Sequence, residues 1–313
     1  MAFQPAGSVR MKLHEYFAGL LTRQVNIDRT RLADLQQHVD ALAECLSGDV
    51  ALKRVLRGFS RQGSWAHRTI IRPQPDREYD ADVILRMRHH RGWAQDPQQY
   101  LHAVHASLAR NELYRPRIEL KTRCVRVSYA GDCHVDLVPC LEYGFSYFDE
   151  HLIVNRTENT LEPVNPAGFA RWFEGKDCVA AGNLRKTVRL LKFVRDFHGQ
   201  FDIPSVVLTV LVAGRVSRWD EFWLRYRDLP SAFTTLVDRT NTLVQGFPEP
   251  PHIGDPSCPS ADFSGRLGGA EWSRFRSSFN QYAGRVSEAF DETRRNSSIA
   301  LWREVFSDEF APR

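Results

Sequence analysis

The sequence predicts an α+β chain in which a leading helix and a small α/β half are followed by a helical half. Three observations predict it. An apolar stripe at three- and four-residue steps runs through the N-terminal region, short runs of strand character lie between residues 80 and 141, and strand signals fade into helical periodicity after about residue 165.

Residues 11–58 read as helical, with Leu32, Leu35, Val39, Leu42 and Cys45 on one stripe and Asp28 placed to cap the run. Near residue 60 the texture changes to Gly63-Ser64, a helical turn from Trp65 to Arg68, and a proline-bearing loop from Arg72 to Arg77. DADVILRM (80–87), RIELKTRCVRVSYA (117–130) and CHVDLVPCL (133–141) have strand character, and DPQQYLHAVHASLARN (96–111) reads as a helix between them. Arg115-Pro116 and Ala130-Gly131-Asp132 supply turns. Beyond residue 165, FARWFEG, NLRKTVRLLKFVRDFHG, SVVLTVLVAGRV, EFWLRYRDLPSAFTTLVDRTNTLV and EWSRFRSSFNQYAGRVSEAF carry helical periodicity, whereas 246–269 reads as a Pro- and Gly-rich loop. There is no internal repeat.

The 313 residues are 42% hydrophobic and 26% charged, enough apolar material for a sizeable core, which excludes a disordered chain. The net charge of +4 suits an anionic small molecule better than the coating of DNA. No zinc motif and no run of five like charges marks a nucleic-acid surface. With no apolar run of about 18 residues and no hydrophobic signal core at the N-terminus, a cytoplasmic protein without a membrane span is expected. Six cysteines without a C-x-x-C pair read as buried or partly buried thiols of a reducing compartment. Only six of the 42 basic residues are lysines.

The chemistry concentrates in three segments. In Glu78-Tyr79-Asp80-Ala81-Asp82-Val83 the period-two alternation of a strand sends Asp80 and Asp82 to one face, with Ala81 and Val83 behind and Tyr79 packing on the opposite side. Two like charges held about 6–7 Å apart along an apolar strand gain nothing structural, and a divalent cation between them explains the pattern. Oxygen donors of this kind suit Mg²⁺. His134-Val135-Asp136-Leu137 supplies a third carboxylate on a second apolar strand. If that strand neighbours the first, the three acids converge on one sheet edge, where two metals could align an attacking hydroxyl with a leaving phosphate. Upstream, Gln62-Gly63-Ser64 joins a glycine, which lets backbone approach phosphate, to a hydroxyl at a helix start.

Ser64 precedes Asp80 by 16 residues, and Asp136 follows Asp82 by 54. This conjunction resembles the polymerase-β-like nucleotidyltransferases. More narrowly, QGSWAHRTIIRP, EYDADVIL and HVDLVP resemble the bacterial CD-NTases with a SMODS-type catalytic domain, relatives of cyclic GMP-AMP synthase and oligoadenylate synthase. The resemblance covers roughly residues 11–310, including the tail IALWREVFSDEF. It implies a polymerase-β-like mixed sheet with an N-terminal spine helix and a C-terminal helical lobe. The catalytic core would be 11–165, and 166–313 would complete the donor-nucleotide pocket.

The resemblance also assigns residues. Gln62, Gly63 and Ser64 match the phosphate-contacting Q-G-S, and Asp80, Asp82 and Asp136 match the metal-binding catalytic triad. LRKTVRLLKFVRDFHGQFDIPSVVLTVLV resembles the donor-site helix pair, which makes Lys192 and Ser205 ligands of the triphosphate. Periodicity places Leu184, Val188, Leu191 and Val194 on a buried stripe and Arg185, Arg189 and Lys192 on another face. The implied activity is synthesis of a cyclic di- or trinucleotide second messenger from ATP, alone or with a second NTP. It would use two Mg²⁺ ions, for which Mn²⁺ can substitute, and would serve antiphage signalling. Some relatives need a HORMA-type protein to switch on. Two alternatives stay open: a nucleotidyltransferase that modifies a protein, a drug or an RNA end, and a non-catalytic nucleotide-sensing relative. His67 and His134 are secondary candidates for substrate contact, and Tyr143, Phe145, Tyr147 and Phe148 for base stacking.

Overall fold

The computed structural model describes residues 13–74, 78–130, 133–142, 151–199 and 201–312. The chain forms two compact units. One comprises residues 27–172 with 254–262, the other the residues up to Asn26 with 173–253 and 263–313. This division differs from a cut at 165/166 in three places: the first helix groups with the C-terminal helices, and both residues 166–172 and a short segment near 258 group with the sheet.

The first unit is a mixed sheet covered by helices. Helix α2 (Arg29–Gly48) starts where Asp28, in extended conformation, accepts a hydrogen bond from the Arg31 backbone N–H at 2.8 Å. The expected cap is therefore present. Strands β1 (Leu56–Gln62), β2 (Tyr79–Met87), β3 (Ile118–Leu120), β4 (Val125–Tyr129) and β5 (Cys133–Glu142) lie in the order β1-β2-β5-β4-β3. The β2/β5 pair is parallel and the other three pairs are antiparallel. Two further strands, β6 (His151–Asn155) and β7 (Thr160–Val164), continue the sheet from β5.

One sheet face carries Ala81, Val83, Leu85, Val125, Val127, Val135 and Leu137. It packs on Leu35, Val39, Leu42 and Leu46 of α2 and on Tyr100, Leu101, Val104 and Leu108 of α4 (Gln99–Ala109). These buried aliphatic and aromatic side chains supply the main stabilisation of the unit. Tyr79 joins that core, as its alternation requires.

The second unit is helical. Helix α1 (His14–Leu20) runs into a π-helical turn, Leu21–Val25. Phe17 sits edge-on to Phe233, Trp302, Phe306 and Phe310 with ring centroids 4.9–6.1 Å apart. The reading of 11–58 as helical holds for most of that range and is corrected at its end. Helix α1 and α2 are separated at Asn26–Asp28, α2 ends at Gly48, and residues 56–62 are strand. The turn at 246–269 is also not wholly irregular: Gly254–Asp255 and Cys258–Asp262 pair as a two-stranded ladder. All six cysteines are free, and only Cys178 is exposed. Among the described residues no helix is long and apolar enough to cross a membrane.

Candidate active site

Strand β1 ends at Gln62, whose partner across the antiparallel ladder is Asp82. The chain then enters a four-residue helix, α3 (Gly63–Ala66), through Gly63 at φ +60°. A Cβ at Gly63 would collide with the Asp82 carboxylate, so glycine is required both for the left-handed conformation and for the close approach. Trp65 anchors the turn in the core under the Arg61 guanidinium, 4.4 Å from its ring centroid. The Ser64 carbonyl accepts the Thr69 N–H at 2.8 Å.

Across the parallel β2/β5 ladder Asp80 pairs with His134 and Asp82 with Asp136. Paired residues of neighbouring strands project to the same side. The three acids therefore share one face, opposite the apolar core, as their alternation predicts. Asp80 is exposed, Asp82 half-buried, and Asp136 is 8% exposed. His134, also buried, meets Glu78 with Nδ1 and Oε2 2.7 Å apart. His67 is buried with its ring 5.1 Å from that of Phe169.

The residue that sequence reasoning missed is Arg126. In β4 it is the ladder partner of Asp136. Its Nε and Nη2 donate to the two Asp136 carboxylate oxygens, each at 2.8 Å. That hydrogen bonding, followed by the Asp136 charge, holds the guanidinium above its ordinary pKa, and Asp80 adds to the effect. The Cys124 thiol lies close by and is pushed up chiefly by burial and then by the negative charge of Asp136. A signal was present: counting outward from the turn at 130–132 puts Tyr129 opposite Cys133 and Arg126 opposite Asp136.

The donor set of Asp80, Asp82 and Asp136 is all oxygen and suits a hard cation such as Mg²⁺. Among the described residues, however, no three His, Cys, Asp or Glu side chains converge as a metal-holding group, and the Asp136 oxygens are turned to Arg126. The donor chemistry fits a divalent cation. The resting orientation of Asp136 does not yet present it to one.

After α5 (Pro166–Val179), helices α6 (Asn183–His198) and α7 (Ser205–Ala213) form the expected helix pair, and Ser205 is the first residue of α7. The Ser205 hydroxyl accepts a hydrogen bond from Arg195 Nη1 at 2.9 Å, and the same nitrogen donates to the Ile203 carbonyl at 3.0 Å. The side of α6 that carries Arg185, Arg189 and Lys192 is largely covered. Lys192 is only 5% exposed, Arg185 is held by Asp177 at 2.9 Å and by Glu174, and burial lowers the Arg189 pKa. Packing on several sides of α6 covers the aliphatic stems of these cations as well as the leucine stripe. Tyr143, Phe145, Tyr147 and Phe148 lie outside the described residues.

A family model described as the Second Messenger Oligonucleotide or Dinucleotide Synthetase domain (SMODS) matches residues 11–177. A c-di-GMP synthase of Roseivirga ehrenbergii is 24% identical over 278 residues, covering 78% of this chain and 70% of that protein. A cyclic AMP-AMP-AMP synthase of Acinetobacter sp. is 23% identical over 298 residues, covering 89% and 83%. Among solved structures, the Bradyrhizobium diazoefficiens CD-NTase CdnG in complex with GTP superposes with a TM-score of 0.75 at 17% identity, over 95% of this chain and 96% of that one. The CdnC:HORMA-deltaN complex of E. coli MS115-1 superposes with a TM-score of 0.72 at 16% identity, over 95% and 98%. At these identities the superpositions establish a shared polymerase-β-like fold.

Proposed function

The chain belongs to the SMODS family, and from that membership we propose that it is a metal-dependent nucleotidyltransferase that joins NTPs, ATP foremost, into a cyclic di- or trinucleotide and releases pyrophosphate. The observation that carries the reading is the register of β2 against β5. It sets Asp82 beside Asp136, with Asp80 two residues along on the same face and the Gly63 turn against Asp82.

Asp80, Asp82 and Asp136 are the residues that would hold two Mg²⁺ ions, or Mn²⁺ in their place. Bound there, such ions would neutralise charge on the triphosphate and on the attacking oxygen. The protein's own part is positioning. The Gly63 turn brings backbone N–H groups and the Ser64 hydroxyl to the phosphates, and Gln62 flanks them from the end of β1. On the resemblance of α6 and α7 to a donor-site helix pair, Lys192 and Ser205 are proposed as triphosphate contacts. A ribose hydroxyl oxygen forms the new bond to the α-phosphorus, the bond from that phosphorus to the β-phosphate oxygen breaks, and Asp136 is the carboxylate assigned to accept the hydroxyl proton. Catalysis of this kind is mostly alignment and charge neutralisation. A HORMA-type activating protein is part of the proposal, on the precedent of the CdnC complex.

The test is incubation of the purified protein, with and without a HORMA-type partner, with Mg²⁺ or Mn²⁺ and the four NTPs. Phosphatase treatment and mass spectrometry follow. A phosphatase-resistant cyclic product is expected, and Asp80→Ala with Asp82→Ala should abolish it while the circular dichroism spectrum is retained. Normal turnover by the double variant, or label from ATP appearing on a macromolecule in place of a cyclic product, refutes the reading.

A further inference from the structure

Arg126 is placed by the hairpin that carries Asp136, so its position follows from backbone register and not from a flexible reach across the surface. Both of its forked donors are committed to the two oxygens of one carboxylate at 2.8 Å. This bidentate geometry is the strongest a guanidinium makes. The pair is half-sheltered, with side-chain exposures of 29% for Arg126 and 11% for Asp136. The ladder partner of Arg126 is Asp136, and Asp80 and Asp82 project from the same sheet face. An Arg with a planar fork is thus set among the acids assigned to metal binding, where three unbalanced carboxylates on one face would otherwise repel each other.

We propose that Arg126 is a built-in counter-ion that occupies Asp136 in the free protein and must release it when a divalent cation enters, which makes the Asp136 metal position weak until the substrate's phosphates are present. The inference rests on the reading of Asp80, Asp82 and Asp136 as the metal-binding acids. A dication on Asp136 would lie within a few ångströms of the guanidinium. The repulsion between them subtracts from cation affinity, and the fork already occupies the carboxylate oxygens that the cation needs. Triphosphate oxygens bring negative charge to the same place and tip the balance toward the metal. Arg126 acts through Asp136 and is therefore a positioning residue. Its consequence is a site that binds free Mg²⁺ weakly and fills together with nucleotide.

The test is Mn²⁺ binding to the EDTA-stripped full chain, read by electron paramagnetic resonance of the free ion, in wild type, Arg126→Met, Arg126→Lys and Asp80→Ala/Asp82→Ala. Arg126→Met removes the charge and the fork while keeping a stem of similar length. Its Mn²⁺ dissociation constant is expected to fall on the order of ten-fold without nucleotide, with Arg126→Lys in between. Its melting temperature should also climb more steeply with added Mg²⁺ than that of wild type, because the cation takes over the neutralising role. An unchanged or weaker Mn²⁺ affinity in a natively folded Arg126→Met overturns the proposal. Should Arg126→Met fold only when Mn²⁺ is added, the substitution of one cation for the other is demonstrated directly, and failure to fold at any Mn²⁺ concentration counts against it. Wild-type Mn²⁺ binding that survives in Asp80→Ala/Asp82→Ala removes the metal reading itself. Loss of binding there combined with no gain in Arg126→Met removes only the role of Arg126.

Discussion

Gly63→Ala perturbs the backbone feature that joins β1 to the acid face. Gly63 sits at φ +60°, and an added Cβ would collide with the Asp82 carboxylate. Holding a non-glycine residue in the left-handed region costs roughly 1–2 kcal/mol. The Asp82 carboxylate must then rotate out of its rotamer, at about 0.5–1.5 kcal/mol. The total, about 1.5–3.5 kcal/mol, corresponds to a fall in melting temperature of about 3–14 °C for a unit of this size. Because the side chain that moves is Asp82, NTP turnover should drop by about 100-fold, the effect of displacing a catalytic group by roughly 1 Å. Turnover would be measured in Gly63→Ala alone, and thermal melts in a double-mutant cycle with Asp82→Ala. The backbone cost should persist in the Asp82→Ala background, and the clash component should vanish from it. Gly48, where an added Cβ meets nothing within 4 Å, supplies the control Gly48→Ala. A Gly63→Ala protein melting within 1–2 °C of wild type, or an equal cost in both backgrounds, would refute the reasoning.

Burial raises Cys133 to about 11 and Cys140 to about 12, from an ordinary 9.0, and Tyr226 to about 12 from 10.0. A folded pKa above the unfolded one means that the folded chain keeps its proton longer. This contribution to stability is intact below about pH 9 and is lost as pH rises from 9 to 12. Melting temperatures measured from pH 8 to 11 should fall, and Cys140→Ala should flatten part of the slope; a constant melting temperature would contradict this. The Tyr282 hydroxyl is fully buried with no hydrogen-bond partner among the described residues, in an aromatic group with Phe201 and Phe279. Tyr282→Phe removes an unsatisfied polar atom and should leave stability unchanged or raise it by about 1 kcal/mol in chemical denaturation, whereas a clear loss would show that the hydroxyl has a partner.

How much was legible depended on how local the determining physics is. The strands carrying Asp80, Asp82 and Asp136 were readable because alternation of acid and aliphatic residues has one structural solution when one face is buried. The Asp28 cap and α2 were readable because capping is satisfied within three residues. β6 and β7 were not. Each has five residues, and among the described residues β7 pairs only with β6, where it tolerates Pro163 as edge strands do. The strand at 56–62 was not legible, and its first three residues fell within the helical reading, because LRGFSRQ lacks clean alternation and only pairing with β2 makes it a strand.

Lys192 marks a different limit. Periodicity along α6 identifies the stripe that must be buried, yet it cannot say that neighbours will also cover the charged side, and the structure leaves Lys192 5% exposed. Residue types and their spacing were enough to determine the fold class and the shared face of Asp80 and Asp82, because each follows from the chain's own period and sterics. The order of the strands, the parallel register that sets Asp82 against Asp136, and the grip of Arg126 on that carboxylate arise from segments far apart in the chain. Those features were decided only when burial of the shared core selected one pairing of the strands over the others.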